Sequence, residues 1–295
     1  MVEIATTYSA LSRGTERLVF HGLVPQSEWG RMRAPFQDGD FPFPVRYGYA
    51  AVGRVVDGPE TLLGRDVFCL HPHQTRFRVP VDAVVPLPDG VPGSRAVLAA
   101  NMETALNAIW DAQIRPGARV LVVGLGLLGR LVTDLLLRRP DVTVCLTDVR
   151  PDPVTTSHDD PVIPLQPGDV PDAAFDIAIH TSASEAGLAT ALDALAFEGR
   201  VIELSWYGDA SPRVPLGGAF HARRLSIISS QVGHVATPRR ASTTHRDRLA
   251  RALDLLAPAH LDALITAEVA FQDLPDALPD LLGAGAPGIA TRIVY

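Results

Sequence analysis

One stretch of the chain constrains its fold more than any other. Arg119–Val123 is a short apolar run, and Gly124-Leu-Gly126-Leu-Leu-Gly129 follows it with no spacer. Leu127, Leu128, Leu131, Val132, Leu135 and Leu136 then fall on one face of a helix running to Arg139. A strand that turns through glycines straight into an amphipathic helix opens a parallel strand–helix–strand unit. A G-x-G-x-x-G match is weak alone. Here the strand before it, the helix after it and Asp148, nineteen residues past Gly129 at the end of the run Val142–Thr147, all agree with it.

Each glycine has a physical role in such a unit. Gly124 permits the tight turn, Gly126 lets the backbone approach a pyrophosphate, and Gly129 lets helix and strand pack closely. The amides at the helix start, at Leu127 and Leu128, and the positive end of the helix dipole suit phosphate oxygens. Asp148 suits the hydroxyls of an adenosine ribose and would repel a 2′-phosphate, which favours NAD over NADP. Arg150 could instead meet that phosphate or stack on adenine, so NADP stays open.

The surrounding pattern extends this unit. From about 105 to 235, strands at Phe175–His180, Arg200–Leu204 and Leu225–Ser229 join the first two, with helical patterns at Leu127–Arg139 and Glu185–Phe197. Short apolar strands alternating with helices indicate a parallel sheet covered on both faces. Residues 1 to about 105 read instead as short strands and turns: Val2–Tyr8, Ala50–Val56, Arg65–Leu70, Arg76–Pro80 and Ala83–Pro86, with a loop at Ala34–Pro44. The last sixty residues hold a charged helix near Thr244–Leu256 and a closing strand, Ala290–Tyr295. The expected fold class is α/β: a Rossmann doubly wound sheet at 105–236, with 1–104 and 237–295 combining into a second, mainly β domain.

Composition narrows the partners. The chain has 295 residues, 47% hydrophobic and 20% charged, enough apolar material for full cores. Its formal charge of −7 argues against nucleic acid or an anionic membrane as partner. The longest apolar run, Val120–Gly129, is about half of what a bilayer requires. The N-terminus lacks the basic and apolar segments of a signal peptide. Cys69 and Cys145 cannot build a disulfide framework or a four-thiolate zinc site. A cytoplasmic protein acting on a small molecule is expected.

With that turn mid-chain, the flanks resemble the medium-chain dehydrogenase/reductase superfamily over nearly the whole length. The resemblance is carried by Tyr8-Ser-Ala-Leu-Ser-Arg-Gly-Thr-Glu16, Gly48-Tyr-Ala-Ala-Val-Gly-Arg-Val55, Gly64-Arg-Asp-Val-Phe68, Pro86-Leu-Pro-Asp-Gly90 and Pro116-Gly-Ala-Arg-Val-Leu-Val-Val-Gly124. The first motif resembles the branch containing bacteriochlorophyllide hydroxyethyl dehydrogenase. The resemblance implies a GroES-like catalytic domain around a nucleotide domain, a nicotinamide cofactor held between them, and a homodimer paired through the sheet edge that ends at Gln231 and Val232. The family's usual N-terminal hairpin is missing, which implies a trimmed catalytic domain or a start upstream of Met1.

Zinc-dependent members carry a Cys in the first motif, Gly-His-Glu at the second and a further ligand near Ala100. This chain has Ser12 or Arg13, then Gly48-Tyr49-Ala50, then Ala100. None of these is a usual zinc ligand, so the resemblance implies an enzyme working without zinc. Tyr49, at the position of the missing His, either hydrogen-bonds a substrate oxygen or is a packed tyrosine. His71 and His73 share one strand face as a proton relay, a structural pair or a metal pair. Glu103 is a pocket carboxylate or a helix-start charge. By the resemblance, Thr104 lies beside the nicotinamide, Arg13 meets the pyrophosphate or is a surface charge, Thr181 and Ser182 touch a ribose, and Leu204 and Trp206 support the carboxamide. Tyr207 and the apolar loop of Trp29, Phe36, Phe41 and Phe43 either shape a site for a bulky, apolar substrate or pack within the domain. The activity implied is interconversion of an alcohol and a carbonyl with NAD or NADP. Reduction of an enone or quinone double bond, and dinucleotide binding without catalysis, are the alternatives.

Overall fold

The computed structural model describes residues 1–150, 152–156 and 161–295. The chain opens with β1 (Val2–Leu11), turns at Ser12 into α1 (Arg13–Phe20), and continues through β2 (Ala51–Asp57), β3 (Asp66–Cys69), β4 (Arg76–Val79) and β5 (Val84–Pro86). Helix α2 (Ala99–Ala112) leads to β6 (Arg119–Val123), α3 (Leu127–Leu137) and β7 (Thr143–Thr147). Then follow β8 (Phe175–His180), α4 (Glu185–Ala194), β9 (Leu195–Glu203) and β10 (Ser226–Ser229). The chain closes with α5 (His245–Asp254), β11 (Ile265–Ala270), α6 (Leu274–Leu281) and β12 (Ala290–Val294).

Two compact units result: Met1–Ala100 with Leu249–Tyr295, and Asn101–Arg248. The sequence reading sets the joins at 104/105 and 236/237. In the structure α2 runs unbroken across the first join. The middle unit extends to Arg248, whose guanidinium is bonded to Glu103 and Asn107.

In the unit formed by the two chain ends, a seven-stranded sheet runs β11-β12-β1-β2-β3-β5, with β4 also paired to β1. Only β11 and β12 pair in parallel; the other pairs are antiparallel. Alternation along β1 sends Val2 and Ile4 into a core shared with Val55, Val67, Phe77, Val79 and Val84. Each such fully buried side chain contributes about 1.5–3 kcal/mol.

The middle unit is a five-stranded, all-parallel sheet in the order β10-β9-β8-β6-β7. Leu165 adds a parallel bridge to Thr147 beyond β7. The chain leaves β6 toward β7 and later returns to build on the other side, so the strand order reverses between β6 and β8, the point at which open α/β sheets bind ligands. Leu188, Ala191 and Leu192 of α4 pack on Leu121, Val123, Ala178 and Val201 of the sheet. Thr147, Val123, His180, Glu203 and Ser229 stand in one register row at the carboxyl ends of the strands.

Three expectations need correction. The first hundred residues are not only strands and turns: α1 follows β1 directly, and α2 begins at Ala99. The helix expected at Glu185–Phe197 stops at Ala194. Leu195 is fully buried and pairs with Phe175, and the chain turns at Glu198 (φ +58°) before resuming its pairing at Arg200. His71 and His73 do not share a strand face, because β3 ends at Cys69.

Candidate functional site

The glycine turn departs from the register row one residue past Val123. Gly124 has φ +94°, and a Cβ there would lie 2.8 Å from the Cα of Ser182, so the turn and the loop after β8 are in contact backbone to backbone. A Cβ on Gly129 would overlap the Gly124 carbonyl oxygen and come within 2.9 Å of Thr181 Oγ1. Both positions are closed by internal packing. Gly126 is the opposite case: it is exposed, and a Cβ there meets nothing within 4 Å. The turn is therefore tight on its inner side and open where it caps α3. Gly126 is the N-cap and no side chain caps the helix, which leaves the first-turn amides at Leu127 and Leu128 for an anion.

Side chains from neighbouring strand ends fasten this turn. Asp148 Oδ2 accepts the Leu125 amide at 2.6 Å, and its Oδ1 accepts the Arg150 amide at 2.8 Å. Thr181 donates its hydroxyl to the Gly124 carbonyl at 2.7 Å, and Gly124 N–H donates to the Thr147 carbonyl at 2.9 Å. Arg130, which the sequence reading passes over, donates Nε to the Leu125 carbonyl at 2.9 Å and Nη1 to the Pro153 carbonyl at 3.2 Å. A carboxylate, an exposed glycine, uncapped amides and a cationic side chain thus meet at the switch point. These residues fit a dinucleotide pyrophosphate with its adenosine ribose.

Beside the turn, His180 and Glu203 form a pair that the sequence reading missed. His180 Nδ1 and Glu203 Oε2 are 2.7 Å apart, and His180 Nε2 lies 2.6 Å from Ser182 Oγ. The only signal in sequence is a polar residue ending each of two apolar strands. Leu204 N–H donates to the His180 carbonyl at 3.0 Å, and Trp206 is half-buried just beyond it. Tyr207 Oη lies 3.5 Å from Glu203 Oε2, and burial followed by that carboxylate raises its phenol above the ordinary value.

Glu103, Thr104 and Arg13 lie away from the turn in sequence. Glu103 is not at a helix start. It lies within α2, buried, with Oε1 accepting Arg248 Nε at 2.9 Å; burial pushes its carboxyl up while Arg248 pulls it back. Arg248 also donates to Asn107 Oδ1 at 2.6 Å and to the carbonyls of His234 and Val232. Thr104, next to Glu103, is half-buried. Arg13 clamps a loop of its own unit, donating to the carbonyls of Ala286, Pro287 and Gly288.

In the same unit, Tyr49 donates its hydroxyl to Ser12 Oγ. The structure thus brings together Ser12 and Tyr49, which the resemblance sets at two of its three zinc-ligand positions. Burial pushes the Tyr49 phenol up to about 12, opposed by hydrogen bonds to Ser12 and Thr15. Ser12 N–H donates to Glu16 Oε1 at 2.7 Å, and Glu16 Oε2 pairs with His73 Nε2 at 3.0 Å. His73 Nδ1 lies 2.8 Å from Ser9 Oγ, which is 3.0 Å from Tyr295 Oη. His71 is separate: its Nδ1 lies 2.9 Å from the Pro72 carbonyl, its ring stacks on Phe77 at 3.8 Å, and burial lowers it from the ordinary histidine value.

The aromatic loop does not form one surface. Phe41 is buried near Tyr47, Phe36 stacks over His71, Trp29 donates to the Val24 carbonyl, and Phe43 is exposed. Among the described residues, no group of three or more His, Cys, Asp or Glu side chains could hold a metal ion. No helix among them is long and apolar enough to cross a membrane.

No protein-family model and no curated protein matches the chain. Solved structures do match it. L-idonate 5-dehydrogenase from Escherichia coli is 15% identical, with 100% of this chain and 91% of that chain covered and a TM-score of 0.73. 2R,3R-butanediol dehydrogenase from Bacillus subtilis is 15% identical, with 100% and 92% covered and a TM-score of 0.72. The yhdH oxidoreductase from Salmonella enterica, solved with NADP, is 19% identical, with 100% and 91% covered and a TM-score of 0.64. The chain has the fold of the medium-chain dehydrogenase/reductases, a Rossmann parallel sheet joined to a mainly β, GroES-like domain.

Proposed function

We propose that the chain is an NAD(P)-dependent oxidoreductase of the medium-chain type, interconverting an alcohol and a carbonyl by hydride transfer. The observation that carries this reading is the glycine turn: closed by packing at Gly124 and Gly129, open at Gly126, and seated where the strand order reverses. The uncapped amides after Gly126 would hold the pyrophosphate, and Asp148 the adenosine ribose hydroxyls. Thr104, Thr181, Ser182, Leu204 and Trp206 are proposed as further cofactor contacts. The bound nicotinamide supplies a hydride acceptor or donor. The negative charge of Asp148 supports NAD over NADP.

Zinc independence belongs to the same proposal. It rests on the chemistry of Ser12, Tyr49 and Ala100, which offer a hydroxyl, a phenol and a methyl group. Tyr49 is the group proposed to hydrogen-bond the reacting oxygen. With its phenol held up to about 12 it carries its proton at neutral pH, and that proton would turn from Ser12 Oγ to the reacting oxygen when substrate binds. His73 reaches Ser9 through its other nitrogen, Ser9 in turn meets Tyr295, and His73 is proposed to orient this polar cluster through Glu16. For the homodimer, β10 is the proposed pairing edge, since it ends the sheet with Ile227 and Ile228 each 37% exposed.

Calorimetric titration with NADH and with NADPH, followed by a carbonyl panel read as NADH consumption, tests the proposal. Saturable binding with turnover of a ketone or aldehyde is expected. A folded protein that takes up neither nucleotide would overturn the assignment, and one that consumes only enones would replace the substrate class.

A further inference from the structure

Four polar groups beside the glycine turn form one hydrogen-bonded chain. Glu203 meets a donor at each contact: Ser205 N–H at 2.8 Å on Oε1, and His180 Nδ1 at 2.7 Å and Tyr207 Oη at 3.5 Å on Oε2. A carboxylate only accepts, so the His180 ring carries a proton on Nδ1, and in its neutral form it leaves Nε2 as an acceptor. Ser182 Oγ, 2.6 Å from Nε2, must give its own proton to that nitrogen. At the far end Gly187 N–H donates to Ser184 Oγ at 3.0 Å, so the Ser184 hydroxyl turns its proton to Ser182 Oγ, 2.9 Å away. Ser182 is left with a lone pair and no proton to offer. It is also half-buried and in backbone contact with Gly124.

An ordinary serine at a nucleotide site can rotate to donate to a phosphate oxygen or accept from a sugar hydroxyl. This one is held in the second state. His180 is fully buried and paired on both nitrogens, so the ring has no room to reverse its role. We propose that His180 and Glu203 are positioning residues that fix the Ser182 hydroxyl as an acceptor at the dinucleotide turn, so that it recognises a sugar hydroxyl of the ligand and discriminates against a phosphate oxygen. This rests on the dinucleotide reading above and deepens it. The logic matches that of a carboxylate setting the histidine tautomer in a hydrolytic triad, although here the result is binding rather than nucleophilic attack.

The test uses two variants and two probes. Glu203→Gln keeps the shape of the side chain but can donate to His180 Nδ1. That moves the ring proton to Nε2 and frees the Ser182 proton. Long-range proton–nitrogen NMR on the full chain should show the Nδ1–H tautomer in the wild type and the Nε2–H tautomer in Glu203→Gln. NADH affinity should fall about threefold to tenfold in Glu203→Gln, the range expected for one lost neutral hydrogen bond, while affinity for inorganic pyrophosphate is kept or rises. Ser182→Ala, which removes one oxygen from a half-buried position, should weaken NADH by a similar factor and leave pyrophosphate unchanged. Equal losses for both probes, an unchanged NADH-to-pyrophosphate ratio, or a proton on Nε2 in the wild type would overturn the inference alone. A wild type that binds neither nucleotide would overturn it together with the proposed function.

Discussion

Tyr49 hands its phenolic proton to Ser12 Oγ, and the backbone amide of Ser12 in turn donates to Glu16. The phenol is therefore a donor at the head of a short hydroxyl pair, held neutral by burial. Tyr49→Phe should lower kcat for carbonyl reduction about 100-fold, the lower end of what a general acid contributes, with the melting temperature shifted by only a few degrees. Steady-state kinetics beside a thermal melt checks this; unchanged turnover would remove Tyr49 from the chemistry.

The same phenol carries a stability signature at high pH. Its folded value is pushed up to about 12 from an ordinary 10, and Tyr295 is raised to about 12 as well, chiefly by burial. A raised acid favours the protonated folded state, so this contribution is fully present below pH 10 and is lost as pH climbs from 10 through 12. Urea unfolding across that window should show a steeper alkaline loss for the wild type than for Tyr49→Phe. Equal slopes would argue against burial as the cause.

Two of the turn glycines should separate cleanly on substitution. Gly129→Ala sets a methyl against the Gly124 carbonyl and should destabilise the fold by about 1–3 kcal/mol, as overpacking does. Gly126→Val meets no protein atom in that space and should cost about 1 kcal/mol or less, yet weaken NADH binding at least about tenfold because the side chain stands where the phosphates would dock. Denaturant midpoints and NADH titration on both variants decide the matter.

Asp148 combines a charge with two structural hydrogen bonds. Asp148→Asn keeps acceptor oxygen for the Leu125 amide and removes the charge. The ratio of NADH to NADPH affinity should drop about tenfold while the fold persists. An unchanged ratio would shift the source of cofactor preference elsewhere.

Breaking the Glu103–Arg248 pair should be expensive and uninformative for chemistry. Glu103→Leu strands a buried guanidinium and should destabilise by about 3–5 kcal/mol, with part of that recovered in Glu103→Leu/Arg248→Met. A variant that kept full stability but lost turnover would return Glu103 to the active site.

The parallel sheet was legible because its signals are local. Arg119–Val123 and Phe175–His180 end where their apolar runs end, and the glycine turn announces itself in six residues. Helix α1 was not, since Gly14 and Thr15 weaken its first turn, which is held by Glu16 reaching back to the Ser12 amide. Helix α6 hides behind Pro275 and Pro279. The duties of Glu103, Arg13 and His73 were also hidden, because each partner lies far along the chain: Arg248, the 286–288 loop and Glu16. Alternation and motif spacing place a residue on an element but do not name its neighbour across the fold.

Level strand ends have an evolutionary corollary. With Thr147, Val123, His180, Glu203 and Ser229 abreast, every connecting loop departs from a common rim, and the pairing below is indifferent to what each loop carries. Recognition can then drift one loop at a time without unsettling the framework. Chimeras that exchange the segment after Glu203 should retain their melting behaviour while acquiring new ligand preferences.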